Sequence, residues 1–303
     1  MIKPVRGDSA TQAVRDPLAQ LAPVLFVLIW STGFIMARLV TPHADPLSFL
    51  ALRYLLVIAL LAPVAWWFGA QWPATLRDWR DGLIAGVLLH GIYLGGVFWA
   101  VDGGLPAGIA ALIVGLQPLA TAMLVGLTLG EKVSPLRWLG IAVGFAGALL
   151  VILPRLGVET GLPPGAVGIV LIAMLSITLG TIWQKRTGGA QDVRTNTVVH
   201  FVGAALVTLP VALLIEENRV PMIPDVIFGL AWSVLVMSIG GIFLLLALIR
   251  RGAVAGVAAL LYLVPPCSAL MAWLLFGETL APVQIAGMAI AAIGVAIASR
   301  ARA

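Results

Sequence analysis

Charge is scarce in this sequence. Of 303 residues only 13 are Asp or Glu and 18 are Lys or Arg, while 61% are hydrophobic and the mean hydropathy is +1.08. A water-soluble domain needs far more charged surface than this, and an apolar surface of this extent would aggregate in water. Cysteine is nearly absent: Cys267 stands alone, so an intrachain disulfide is excluded and no Cys/His metal spacing exists. No metal or cofactor is expected. Histidine is limited to His43, His90 and His200, too few to assemble a catalytic dyad with ease, and neither H-E-x-x-H nor G-x-S-x-G occurs. The chain reads as a non-enzyme, with a membrane-embedded enzyme as a weaker alternative. Despite a net charge of +5, no Arg/Lys stripe is interleaved with aromatics, so nucleic acid is not an expected partner.

What is present is long apolar runs. A helix crosses the hydrocarbon core with about 20 apolar residues, and that criterion places ten spans near 21–40, 46–69, 82–101, 104–129, 135–153, 166–184, 195–215, 226–249, 253–276 and 282–299. The first run has no A-x-A cleavage site and reads as a span, not a removed signal peptide. Short gaps carry breakers and charges, and no soluble domain is inserted. With both termini in the cytoplasm, 14 of the 18 Lys and Arg residues fall on the cytoplasmic side. Arg38, Arg155 and Arg219 lie opposite, and Arg53 is within a span. This asymmetry follows the positive-inside rule and predicts a multi-pass protein of the plasma (inner) membrane.

The spans repeat. Gly130-Glu131-Lys132-Val133-Ser134-Pro135, followed by Gly140 and Gly147, recurs 147 residues later as Gly277-Glu278-Thr279-Leu280-Ala281-Pro282, followed by Gly287 and Gly294. Gly104, Gly108 and Pro118 recur at offset 148 as Gly252, Gly256 and Pro266, and Gly33 and Arg38 align with Gly180 and Lys185 at 147. A unit of five spans is odd, so the second copy must enter from the other side of the bilayer. The expected organisation is a cytoplasmic tail (1–20), a first five-helix repeat (21–153), a connecting loop (154–165) and a second repeat (166–303). Inverted repeats of this kind suit a transporter whose halves exchange conformations; duplication without such a cycle is the plainer alternative. Small-xxx-small pairs such as Gly82/Gly86 and Gly140/Gly144 predict close helix packing.

Trp30-Ser31-Thr32-Gly33-Phe34, Phe49-Leu50-Ala51-Leu52-Arg53-Tyr54 and the doubled Gly-Glu-x-x-x-Pro blocks resemble the drug/metabolite transporter superfamily, EamA type, over residues 20–300. The resemblance implies a basket-like fold of ten helices, with a cavity lined by spans 1–4 and 6–9. It also implies a secondary transporter, many members being exporters of amino acids and other metabolites. The sequence departs from the pattern where His200 replaces a counterpart of Arg53 and where the sixth span carries Trp183-Gln184-Lys185, so substrate details do not carry over. The alternative within transport is a sugar-phosphate or nucleotide-sugar exchanger, for which only Lys185, Arg38 and Arg53 could supply basic groups. The expected partners are a small-molecule substrate and the lipid bilayer, with the protein a monomer.

Polar groups at membrane depth are costly and therefore the place to seek a site. His90 and Tyr93 share a helix face with Gly86 and are read as cavity-facing, a histidine satisfied by a neighbouring helix being the alternative. Trp30 and Ser31 lie mid-span. Gln117 precedes the expected kink at Pro118, and Tyr262 occupies the matching zone before Pro265 and Pro266. Thr121 and Thr178 are candidate hydroxyls, although back-bonding to the helix is the commoner fate. Trp99 and Trp183 lie near span ends, where tryptophan also anchors in lipid headgroups. Inverted topology suggests gate or structural pairs Arg53–Glu278 and His200–Glu131, unless the two glutamates only cap the helices that follow. No Asp or Glu falls in the central third of any expected span, which argues against a carboxylate proton relay.

Overall fold

The computed structural model describes residues 17–129, 134–152, 162–187, 191–241, 244 and 263–300. Every regular element among them is helical: α1 (Pro17–Val40), α2 (Pro46–Trp67), α3 (Leu76–Asp102), α4 (Ala107–Val114), α5 (Gln117–Leu129), α6 (Pro135–Ile152), α7 (Pro164–Thr187), α8 (Val193–Ile215), α9 (Pro224–Gly240), α10 (Val264–Phe276) and α11 (Pro282–Arg300). Proline opens six of them (Pro17, Pro46, Pro135, Pro164, Pro224 and Pro282), where its missing N–H costs nothing and its fixed φ favours the first turn. Thr75 and Asp78 form a reciprocal capping box at the start of α3, and Gly277, at φ +67°, ends α10 in a left-handed conformation that a Cβ would strain.

By length and composition α2, α3, α7 and α8 can each cross a bilayer, and shorter apolar helices accompany them. Their outer faces are apolar: Leu55, Leu60, Val64, Leu206, Leu213 and Leu214 are exposed, as are Trp66 and Trp67 at the end of α2. This surface suits lipid, with the two tryptophans where a headgroup belt would lie. The span expected over 104–129 is two helices: the chain breaks at Gly115–Leu116 between α4 and α5, and Pro118 stands second in α5.

α2 lies along α8, α4 packs on α10, α6 pairs with α11, and α3 runs through the centre against α1, α2, α7 and α8. Glycine sets the closest approaches. A Cβ at Gly86 would overlap the His200 carbonyl, one at Gly203 the Leu83 carbonyl, and one at Gly294 the backbone of Gly144, so α3/α8 and α6/α11 touch backbone to backbone.

Loop contacts mark two ends of the bundle. At one, Asp45 and Arg219 exchange backbone and side-chain hydrogen bonds, and the Glu216 carboxylate accepts from Leu47 N, Ser48 N and Ser48 Oγ at 2.7–2.9 Å. Arg38 bonds Glu278 there at 3.2 Å. At the other, Trp183 Nε1 donates to Asp81 O and Thr195 Oγ1 to Gln71 O. α1 thus finishes at the first end and α7 at the second.

Candidate functional site

Arg53 and His200 sit at equal depths from opposite ends of the bundle, each seven residues after the first residue of its helix, Pro46 in α2 and Val193 in α8. α3 packs against both helices and is π-helical over Val87–Ile92. A π turn shifts bonding from i+4 to i+5 and turns carbonyls outward. Tyr54 Oη donates to His90 O at 2.9 Å and Ser176 Oγ to Leu88 O at 2.9 Å. The His90 ring stacks on Phe201 with centroids 4.7 Å apart and lies 6.2 Å from the His200 ring. Tyr54 is tilted against Phe201, with centroids 5.7 Å apart.

α9 carries the second π segment, Trp232–Gly240. Ser238 Oγ donates to Ser233 O, five residues back, and accepts from Arg53 Nη2 at 3.3 Å. Arg53, Tyr54, Tyr93, His200, Ser233 and Ser238 are all buried, while His90 keeps part of its surface exposed. Several polar atoms of the cluster are buried without a hydrogen-bond partner among the described residues: Arg53 Nε and Nη1, His200 Nε2 and Ser233 Oγ. Burial of this kind is expensive and marks groups awaiting a partner. No group of His, Cys, Asp and Glu among the described residues is arranged to hold a metal ion.

The structure sorts the residues singled out in the sequence. His90, Tyr93, Arg53 and His200 come together. Trp99 does not: it is 44% exposed beside Ile92, nine residues and half a helical turn from His90. Trp30 is partly exposed and stacks on Phe26 at 5.0 Å. Ser31 back-bonds to Val27 O, and its carbonyl accepts from Ser268 Oγ, so it ties α1 to α10. Thr178 and Thr121 back-bond to Met174 O and Gln117 O. Gln117 reaches Thr181 on α7 and Trp183 reaches Asp81 O. Pro265 and Pro266 lie in the first turn of α10. Tyr262 and Glu131 lie outside the described residues.

The Arg53–Glu278 pair is corrected. Glu278 takes Arg38, whose guanidinium lies over the Phe276 ring, and also accepts from Ala107 N at the start of α4. Arg53, two turns inside α2, is too deep to reach that loop and turns to Ser238. Sequence reasoning missed Ser233, Ser238, Phe201, Glu216 and Trp232, whose Nε1 donates to Thr32 Oγ1 at 2.9 Å. The repeat held a signal for the two serines: they stand 147 residues after Gly86 and Gly91, and Gly86 meets His200, the counterpart of Arg53.

Comparison with known proteins agrees with this architecture. The EamA-like transporter family profile matches residues 18–153 and again 165–300. The inner membrane transporter YedA of Escherichia coli K12 is 30% identical over 272 residues, covering 88% of this chain and 87% of that protein. A probable amino-acid metabolite efflux pump of Salmonella typhimurium is 28% identical over 286 residues, covering 90% and 92%. One solved structure shares the fold at 20% identity, with a TM-score of 0.63 over 93% of this chain and 96% of its own. The chain is an α-helical membrane protein and a member of the EamA-like transporter family.

Proposed function

We propose that the protein is a secondary transporter of the inner membrane that exports small metabolites such as amino acids by alternating access. In this reading two inverted five-helix halves, 21–153 and 166–303, close on a central site where α2, α3, α8 and α9 meet. The observation that carries it is the cluster of Arg53, His90, Tyr93 and His200, in which Arg53 and His200 bury polar atoms that have no partner among the described residues.

Repeated contacts support the two-half reading. Gly33 of α1 abuts Met237 of α9, and Gly180 of α7 abuts Leu89 of α3; Gly229 abuts Phe49 as Gly82 abuts Asn196. Pro63 inside α2 matches Pro210 inside α8, again 147 residues apart. The opposite ends at which α1 and α7 finish support inversion. The two family matches, one to each half, support the boundaries. Termini in the cytoplasm follow from the charge asymmetry. The relatives' printed names support efflux of amino-acid metabolites. A sugar phosphate is served less well: Arg53 is the one cation of the cluster, and Arg38 is taken by Glu278.

The test is export from liposomes of purified protein loaded with labelled amino acids, comparing wild type with His90→Ala and Tyr93→Ala. Flux in the wild type and at least a tenfold loss in both variants is expected, about what one lost hydrogen-bonding anchor costs. Wild-type rates in both variants would remove the site.

A further inference from the structure

We propose that Arg53 anchors a carboxylate of the transported solute, with Ser238 and Ser233 of α9 beside it. This rests on the transporter reading and adds to it the chemical class of the cargo and the residue that selects it.

The charge of Arg53 is left unbalanced among the described residues. The Arg53 side chain is 4% exposed, yet it makes a single hydrogen bond among the described residues, to a neutral hydroxyl. Its Nε and Nη1 have no partner among the described residues, and its titratable neighbours there are Tyr54, Tyr93 and His90, none a carboxylate. The chain following α9, residues 245–262, contains no Asp or Glu that could reach it. A buried guanidinium with no counter-ion is among the costliest arrangements a fold can hold, and removing such a charge commonly stabilises a protein. The cost is offset when an anion arrives.

The donor set narrows the anion. The guanidinium edges that present two N–H groups side by side match the two oxygens of a carboxylate. These edges are Nε with Nη2 and Nη1 with Nη2, and Ser238 takes only one of the two Nη2 protons, so one edge keeps both donors. One fixed positive charge balances one negative charge, which favours a monoanionic head over a phosphate dianion. Ser233 Oγ, buried and without a partner among the described residues, lies on the α9 segment that holds Ser238 and adds a neutral hydrogen bond. The aromatic wall of His90, Phe201 and Tyr54 supplies an apolar flank for the rest of the solute, and the part-exposed His90 is the edge by which the cluster meets the surface.

The test is thermal unfolding of the full chain in detergent as wild type, Arg53→Met and Arg53→Lys. Each is measured alone and with millimolar acetate, leucine, phenylalanine, threonine or glutamate, every acid matched by its carboxamide. At least one acid should raise the wild-type Tm and its amide should not. Binding should weaken at least about tenfold in Arg53→Met and partly in Arg53→Lys, while ligand-free Arg53→Met melts at or above wild type. The proposal is overturned if ligand-free Arg53→Met melts well below wild type, if amides match acids, if acids stabilise Arg53→Met as strongly, or if no acid shifts the wild type. Acid binding lost in Arg53→Met without flux in liposomes would refute transport and leave the anchor standing. Flux that survives Arg53→Met would do the reverse.

Discussion

Arg53 Nη2 donates to Ser238 Oγ at 3.3 Å, and the same hydroxyl donates to Ser233 O, so one serine links α2 to the π segment of α9. Removing it leaves the guanidinium without its one described partner. Ser238→Ala should therefore cost about 1–3 kcal/mol of stability. In an Arg53→Met background the same change should cost much less, since no charge remains to be orphaned. A double-mutant cycle by thermal unfolding measures the difference; equal costs in both backgrounds would show that Ser238 serves only its own helix.

Gly86 faces the His200 backbone with no room for a Cβ. Gly86→Val should separate α3 from α8 and destabilise the protein by about 1–3 kcal/mol or more. Gly168, which has nothing within reach of an added Cβ, should tolerate alanine with little change. Unfolding temperatures of the two variants check the contrast.

The Arg38–Glu278 bridge joins α1 to the α10–α11 connection across 240 residues of sequence, with Arg38 40% and Glu278 16% exposed. Partial exposure limits its contribution to about 0–1 kcal/mol. Its effect on transport should be larger if it latches one end of the bundle. Glu278→Arg alone should change the rate of export, and Arg38→Glu with Glu278→Arg should restore it. An unrestored double variant would limit the pair to local structure.

Asp192 caps α8 and bonds Arg194, and that side-chain hydrogen bond holds its carboxyl below the ordinary value of 3.8. A lowered folded-state value means stabilisation that is present above the unfolded value and lost as pH falls through the folded one. Asp192→Ala should therefore lower Tm at neutral pH, and the two proteins should converge as the medium becomes more acidic than pH 3.8. A gap in Tm that stays constant with pH would rule out the charge.

Parts of this architecture were legible because the physics is local. The runs 46–69 and 195–215 are apolar and bounded by charge and turn residues, and the helices are Pro46–Trp67 and Val193–Ile215. Hydropathy could not see the break at Gly115–Leu116, which interrupts an unbroken apolar run. That Arg53 lies inside a helix was readable from the apolar run around it. The partner of Arg53 was not, because a π segment resets the register and brings Ser233 and Ser238, five apart, to one side of α9. Hydroxyls such as Ser31 and Thr178 looked like site residues in the sequence, and their bonds to their own helices decide otherwise.

Counterflow tests the account most directly. Liposomes holding the purified protein and preloaded with an unlabelled amino acid should take up the labelled form faster than empty ones, because a carrier that exposes one site to each side in turn returns sooner when loaded. Transient accumulation above equilibrium, lost in His90→Ala, is the predicted result. Uptake that is indifferent to preloading, in wild type and variant alike, would contradict alternating access through this site.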